Sequence, residues 1–294
     1  MMITERQSLI LERIIKDYIE LAQPVSSEFL EKKYDFGICP ATIRIEMQKL
    51  TDKGFLFQPY TSAGRVPTDR GYRFFVNSLL EKDYNPPKDG ASRSAGTPRV
   101  PTASEVPAVG RRVAGGLESH SLLRSERAPI EDFKVGDWLE KEIEDTIKFI
   151  QSLTKNLAQS SGALAISYLE KERIFLKEGW EEILREPEFE EKDFLLNFVE
   201  FLENFEKNIE DFNINSGIKI YIGKENPFKK AKEFSIIFSK CHLPNEDYNP
   251  PTASSHSDKS EWAPVIISLL GPKRMAYDRN ISLINSLTKL LEEF

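Results

Sequence analysis

A helix-compatible run from Pro40 to about Lys53 carries Thr42, Arg44, Ile45, Gln48 and Lys49 opposite Ile43, Met47 and Leu50. The last three recur at i, i+4 and i+7 and must face a core. Arg and Gln match purine edges in the major groove of DNA, and Thr or Ile can touch a thymine methyl. Lys49, Lys53 and, further on, Arg65 suit phosphate, a contact that gives affinity and salt dependence without sequence information. Any solvated helix also turns Arg, Gln and Lys outward, so composition alone leaves an ordinary surface helix as the competing reading.

Other groupings offer less chemistry. Cys241 and His242 are adjacent, with His256 nearby, but neighbours on a strand point to opposite faces and share a metal poorly. Gly271-Pro272-Lys273-Arg274 precedes a helix and suits an anion; a turn into a capped helix accounts for it better. The carboxylates between 181 and 211 read as a solvated helix face, and Phe-rich 189–212 as core or dimer seam. Two cysteines and three histidines nearly exclude a metal cage. With no Gly-rich phosphate loop and no Ser-His-Asp ordering, we expect neither enzyme activity nor a cofactor.

The elements that would position the basic helix can be read from period and punctuation. Residues 4–21 place Leu9, Ile10, Ile14, Ile15, Tyr18 and Leu21 at helical spacing, with Thr4 as N-cap. Pro24 ends that helix, and Ser26 or Ser27 caps a short second one with Phe29, Leu30 and Tyr34 inward. The third opens at Pro40, a favourable first-turn residue, and stops at Gly54. Residues 55–59 read as a short strand and 61–67 as a polar turn leading to a second strand. Thr68 or Asp69 then caps a helix to about Glu81. Three helices followed by a hairpin is the order of a winged helix-turn-helix.

The 294 residues carry 40 basic and 47 acidic groups, net −7, and the balance is uneven. Residues 1–83 hold 12 and 12; residues 44–73 alone hold six basic (Arg44, Lys49, Lys53, Arg65, Arg70, Arg73) and three acidic. Residues 84–130 hold 7 and 4, and 131–294 hold 21 and 31. A local basic surface on an acidic protein fits one nucleic-acid face, not a wholesale coat protein. No apolar run is long enough to span a membrane. The charged start, MMITERQSLI, lacks the apolar region of a signal peptide, so a cytoplasmic location is expected.

Residues 84–130 contain six of the 17 prolines and five of the 15 glycines, and read as a disordered linker or insertion. Asp83-Tyr84-Asn85-Pro86-Pro87 recurs as Asp247-Tyr248-Asn249-Pro250-Pro251, the second copy opening a Ser-rich loop insertion near 245–260. From 131 onward order returns. Leu139, Ile143, Ile147, Ile150, Leu153 and Leu157 stripe one long helix; Phe194, Phe198, Phe201, Leu202, Phe205 and Ile209 stripe another over 188–210. Residues 217–223 alternate as a strand, 234–240 and 263–270 are further strands, and Ile281, Ile284, Leu287 and Leu291 mark a closing helix. The fold class is α+β: a head (1–83), a linker (84–130) and a body (131–294).

The strings PATIR with EM, TSAGRVPT with RGYR, REPEF, IGKENPF, and LLGPKRMAYDR with SLI occur in that order between Pro40 and Ile284. In them the chain resembles the HrcA family of heat-inducible transcription repressors, densely over 3–82 and more thinly over 160–294. The resemblance implies a winged helix-turn-helix on a GAF-like body with an inserted dimerisation region. It also implies a homodimer that binds double-stranded DNA at an inverted-repeat operator ahead of chaperone operons, kept active by the GroE chaperonin. Three residues depart from the family: Ile45 stands where Asn is usual, Cys39 replaces a capping Ser, and Tyr60 replaces a usual His. About 20 residues separate the long helix from REPEF where the family has far more, so a shortened body is expected. Two other classes stay open: a metabolite-responsive regulator, and an interaction module that has lost regulated DNA binding.

Overall fold

The computed structural model describes residues 3–84, 146–211, 217–228, 230–243 and 263–293. The linker reading of 85–130, the insertion near 245–260 and the stripe residues Leu139 and Ile143 lie outside these. The N-terminal part folds as helices α1 (Glu5–Leu21), α2 (Ser27–Lys33) and α3 (Pro40–Asp52), a hairpin of β1 (Leu56–Phe57) and β2 (Val66–Pro67), and α4 (Asp69–Tyr84). Local chemistry explains the starts. The Thr4 hydroxyl accepts from Gln7 N at 3.2 Å while Thr4 N donates to the Gln7 side chain at 3.3 Å, a reciprocal capping box. Ser26 accepts from Phe29 N at 3.1 Å and Thr68 from Gly71 N at 3.1 Å. Cys39 makes no such bond to the backbone at the start of α3, a loss of about 1 kcal/mol relative to a capping Ser.

Several boundaries differ from the sequence reading. On α1, Leu9 and Leu21 are exposed, while Ile10, Leu11, Ile14, Ile15 and Ile19 are buried. The helix is packed by α3, α4 and β2 at once, so its buried face is wider than a single stripe and displaced from it. Phe29 and Tyr34 are only half-buried beside fully buried Leu30. The first strand keeps only Leu56–Phe57, since Pro59 has no N–H to donate; the second already forms at Val66–Pro67, inside the expected turn.

The body is built on a five-stranded antiparallel sheet. Its strands are β3 (Leu164–Leu169), β4 (Ile174–Glu178), β5 (Ile218–Ile222), β6 (Phe234–Leu243) and β7 (Ala263–Pro272), in the order β4-β3-β7-β6-β5. Helices α5 (Thr146–Ser161), α6 (Trp180–Ile183), α7 (Lys192–Lys207) and α8 (Tyr277–Glu293) cover it. Strand alternation sorts the core into two layers. Ala165, Ile237, Cys241, Ile267 and Leu269 point to α5 and α8, whereas Leu164, Ile166, Phe234, Phe238 and Leu270 meet the phenylalanines of α7. Cys241 is buried and His242 half-buried, as strand neighbours on opposite faces should be. β3 and β4 were not read from sequence. LAISYL is buried at every position, so it shows no polar alternation.

The expected helix over 188–210 is three pieces: 3-10 turns at Pro187–Glu190 and Ile209–Asp211 flank α7. Glu191 adopts extended φ −85°, ψ 118° and interrupts it. Phe194, Phe198, Phe201, Leu202, Phe205 and Ile209 are nevertheless all buried. On α5, Ile150, Leu153 and Leu157 are buried but Ile147 is exposed, one turn before the sheet begins to cover the helix.

Head and body meet in a polar joint assembled from five distant segments. Arg73 on α4 pairs with Glu225 and donates to the Ile220 carbonyl at 2.7 Å. Asp69 accepts from Lys273 Nζ at 2.9 Å and from the Lys224 amide at 3.1 Å. Arg274, only 3% exposed, pairs with Glu186 and donates to Glu188 at 2.6 and 2.9 Å and to the Ile19 carbonyl of α1 at 2.9 Å. The Tyr72 and Tyr277 rings lie 5.7 Å apart beside it. Gly223 belongs here too: at φ +55° it approaches Asp69 so closely that a Cβ would lie 2.5 Å from the carboxylate. The stretch 271–274, weighed as an anion site or a turn, is thus a turn whose two cations are engaged by carboxylates.

Candidate nucleic-acid interface

Helix α3 leaves α1 and α2 with its outer face open. Ile43, Met47 and Leu50 are buried, as their spacing requires. Arg44, Ile45, Gln48 and Lys49 are exposed, and Thr42 is half-exposed at the rim. Across from them stands the hairpin turn, held in shape by the Gln58 amide, which donates to the Thr61 and Ala63 carbonyls at 2.8 and 2.9 Å. Between helix and turn lies an open depression of about 810 Å³, rimmed by Arg44, Ile45, Gln48, Ser62, Arg65 and the start of α2 at Ser26–Glu28. Its charged lining is Arg44 and Arg65 against Glu28, a net positive balance.

The hairpin is stapled, not free. Val25 and Arg65 exchange both backbone hydrogen bonds, at 3.0 and 2.8 Å, so the turn is tied to the chain just ahead of α2. Gly64 permits this approach: a Cβ there would sit 2.4 Å from the Val25 carbonyl carbon and oxygen. We expect Gly64→Ala to cost about 1–3 kcal/mol through displaced backbone. Thermal unfolding should show the loss, and an unchanged midpoint would mean the turn yields freely.

The basic residues divide into two sets. Arg44 is the open one: among the described residues its ion pair is a 3.7 Å contact with Glu28 in which both side chains are about 70% exposed; such a pair holds little. Arg65, expected as an outward phosphate cation, is instead 8% exposed, its guanidinium laid on α3. It donates to the Thr51 hydroxyl at 3.1 Å and to the Gln48 side-chain amide oxygen Oε1 at 2.9 Å. Burial lowers the Arg65 pKa from its ordinary value, and the charge of Arg44 lowers it further against an opposing effect of Asp52. Two guanidinium groups that repel each other across a depression are a site an anion would relieve.

Lys49 and Lys53 lie toward the other flank. Lys49 pairs with Glu46 at 2.8 Å, and Lys53 donates to the Gln7 side-chain amide oxygen Oε1 at 2.8 Å. Glu46 also accepts from the Gln7 amide at 2.7 Å, so a chain of polar bonds ties α3 to α1. The hydrogen bond from Lys49, and then that from Gln7, holds the Glu46 carboxyl below its usual value. A depressed carboxyl contributes stability above its unfolded pKa of about 4.3 and loses it as pH falls through the folded value. Glu46→Gln should therefore flatten the acid limb of a stability-against-pH curve; an identical limb in both proteins would assign that loss elsewhere.

Structure thus brings Thr42, Arg44, Ile45, Gln48 and Lys49 to one face, with Arg65 braced beneath and Lys53 at the margin. Sequence reasoning did not single out Ser26, Gln58 or Ser62. Ser26 was visible only as a cap and Gln58 only as a strand end; their place at the depression comes from the Val25–Arg65 bridge. Among the described residues, no group of three or more His, Cys, Asp or Glu is placed to hold a metal. None of the described helices is long and apolar enough to cross a membrane.

Fold and exposed face together define a class: an α+β chain in which a small helix-and-hairpin head is clamped to an antiparallel-sheet body. The family model described as the HrcA protein C terminal domain matches residues 126–281, more than half of the chain. The chain belongs to the HrcA family. Similar full-length relatives include the heat-inducible transcription repressors HrcA of Natranaerobius thermophilus, 27% identical over 98% of this chain and 97% of the relative, and of Alkaliphilus metalliredigens, 28% identical over 100% and 98%. A crystal structure titled as that of a hypothetical protein at 2.2 Å resolution aligns with TM-score 0.65 over 99% of this chain and 98% of its own. At 18% identity that likeness is one of fold.

Proposed function

We propose that the chain is a sequence-specific transcriptional repressor of heat-shock (chaperone) operons, binding an inverted-repeat operator as a homodimer. In this reading residues 1–83 are a winged helix-turn-helix: α3 enters the major groove, and the 58–65 hairpin turn is the wing beside it. The observation that carries it is the open face of α3 joined to the basic depression, in a chain related over its whole length to proteins named as transcription repressors. Arg44, Gln48, Ile45 and Thr42 read bases, while Lys49, Lys53 and Arg65 serve phosphate, Arg65 by swinging off Gln48. The body (131–294) is a GAF-like domain that has lost a segment. Alignments of 348 and 354 positions against 294 residues support that loss, as does the direct turn between Leu169 and Ile174.

A marginally stable repressor loses its folded population steeply with temperature or chaperone shortage, which is the basis for coupling it to the GroE chaperonin. Gel shift on an inverted-repeat duplex from upstream of the gene tests the reading. Specific binding should weaken sharply with salt; binding no tighter than to scrambled duplex would defeat it. One observation favours a second reading, a metabolite-responsive regulator. A cavity of about 180 Å³ lies at the joint, lined by Tyr18, Tyr72, Glu188 and Arg274, and the buried Tyr72 hydroxyl has no hydrogen-bond partner among the described residues. Thermal-shift screening with small polar molecules distinguishes it.

A further inference from the structure

The outer face of α7 is apolar in its middle and charged at both ends. Leu196 and Val199 are 55% and 40% exposed at its centre, and Trp180 and Leu184 lie exposed beside it on and just after α6. The Trp180 ring packs edge-on against Phe198, 6.3 Å away, which fixes α6 next to α7. Lys192 stands on the same stripe one turn before Leu196, and Glu203 one turn after Val199. Helical spacing puts all four within about 60° of one another around the axis.

The stripe is complementary to itself. A two-fold axis crossing the helix midway between Asn197 and Phe198 relates Leu196 to Val199, and the same axis relates Lys192 to Glu203. A single antiparallel pairing of α7 with a second α7 therefore packs leucine on valine twice and sets lysine against glutamate twice. Lys192 and Glu203 each lie about 8 Å along the helix from that axis. At the common crossing angle of about 20° the facing ends diverge by only about 3 Å, within side-chain reach. A partner with unrelated charge order would meet at least one end badly, whereas a second copy meets both well.

We infer that α7 is the self-association surface of this protein, pairing antiparallel with α7 of a second copy about that axis. The inference names the interface of the homodimer proposed above and rests on that reading. Glu203, which pairs with Lys207 at 3.3 Å in the single chain, gains Lys192 of the second copy without giving up its first partner.

Analytical ultracentrifugation of the full chain tests it with Lys192→Glu, Glu203→Lys, both together, and Leu196→Asp. Each single charge reversal should weaken the dimer about tenfold or more, and the double reversal should restore it. Leu196→Asp should leave a folded monomer whose thermal midpoint falls by no more than the lost association accounts for, because the site is exposed in the single chain. A monomeric wild type, or a dimer indifferent to all four changes, would overturn the interface. So would a lowered midpoint for Leu196→Asp without a change in mass, which would assign the face to another segment of the same chain. Gel shifts run on the same proteins separate the two readings. Specific operator binding by a dimer that ignores these changes overturns α7 alone; an α7 dimer with no preference for operator overturns the repressor.

Discussion

Arg274→Met should lower the free energy of unfolding by about 3–5 kcal/mol. The side chain is 3% exposed and its guanidinium serves three acceptors at once: Glu186, Glu188 and the Ile19 carbonyl. Glu186 is itself only 7% exposed, so removing the cation takes its guanidinium partner from a carboxylate largely shielded from water. The loss is the cost to that buried charge more than any net gain the pair supplies, since a buried ion pair on its own is weak evidence of stability. Arg73→Met at the outer end of the same joint is the contrast. Its pair with Glu225 is about a third exposed, and the expected loss is about 1 kcal/mol. Urea denaturation of both variants decides it; equal midpoints would mean that the joint does not contribute to folding.

Arg44→Ala should cost about tenfold to a hundredfold in preference for operator over scrambled duplex, the scale of one base contact. Lys49→Ala should weaken both duplexes alike and lower the salt dependence by about one phosphate. The two residues lie on one helix but differ in their ties. Arg44 has a long, exposed contact to Glu28, whereas Lys49 is already held by Glu46. If Arg44→Ala lost equally on both duplexes, Arg44 would be a phosphate contact and base reading would fall to Gln48 and Ile45.

Much of this was legible in the residues because local signals carry their own physics. Thr4, Ser26, Pro40 and the Ile43-Met47-Leu50 spacing state where helices begin and which way they face. The α3 face followed from that spacing alone. What could not be read was anything set by packing from two sides. LAISYL hides a central strand because both faces of β3 are covered, and the α1 stripe misleads because three elements press on it. Arg65 is the instructive case at the site. A basic residue beside glycine in a polar turn reads as an outward cation, yet the Val25 bridge turns it down onto Gln48. The joint was invisible for a different reason: Asp69, Glu186, Glu225 and Arg274 lie as much as two hundred residues apart, and only the fold gives them a common address. Four strings that the sequence offered merely as family markers proved to be four of its five walls.

The joint and the body respond to temperature differently. The cost of desolvating the charges around Arg274 falls as water warms, because ion hydration carries a strongly negative entropy. Apolar burial, which holds the phenylalanines of α7 against the sheet, gains nothing comparable on heating. Warming therefore shifts the balance of stabilisation toward the charged joint and away from the apolar layer beneath α7. On that balance the attachment of the head is relatively favoured as the molecule warms.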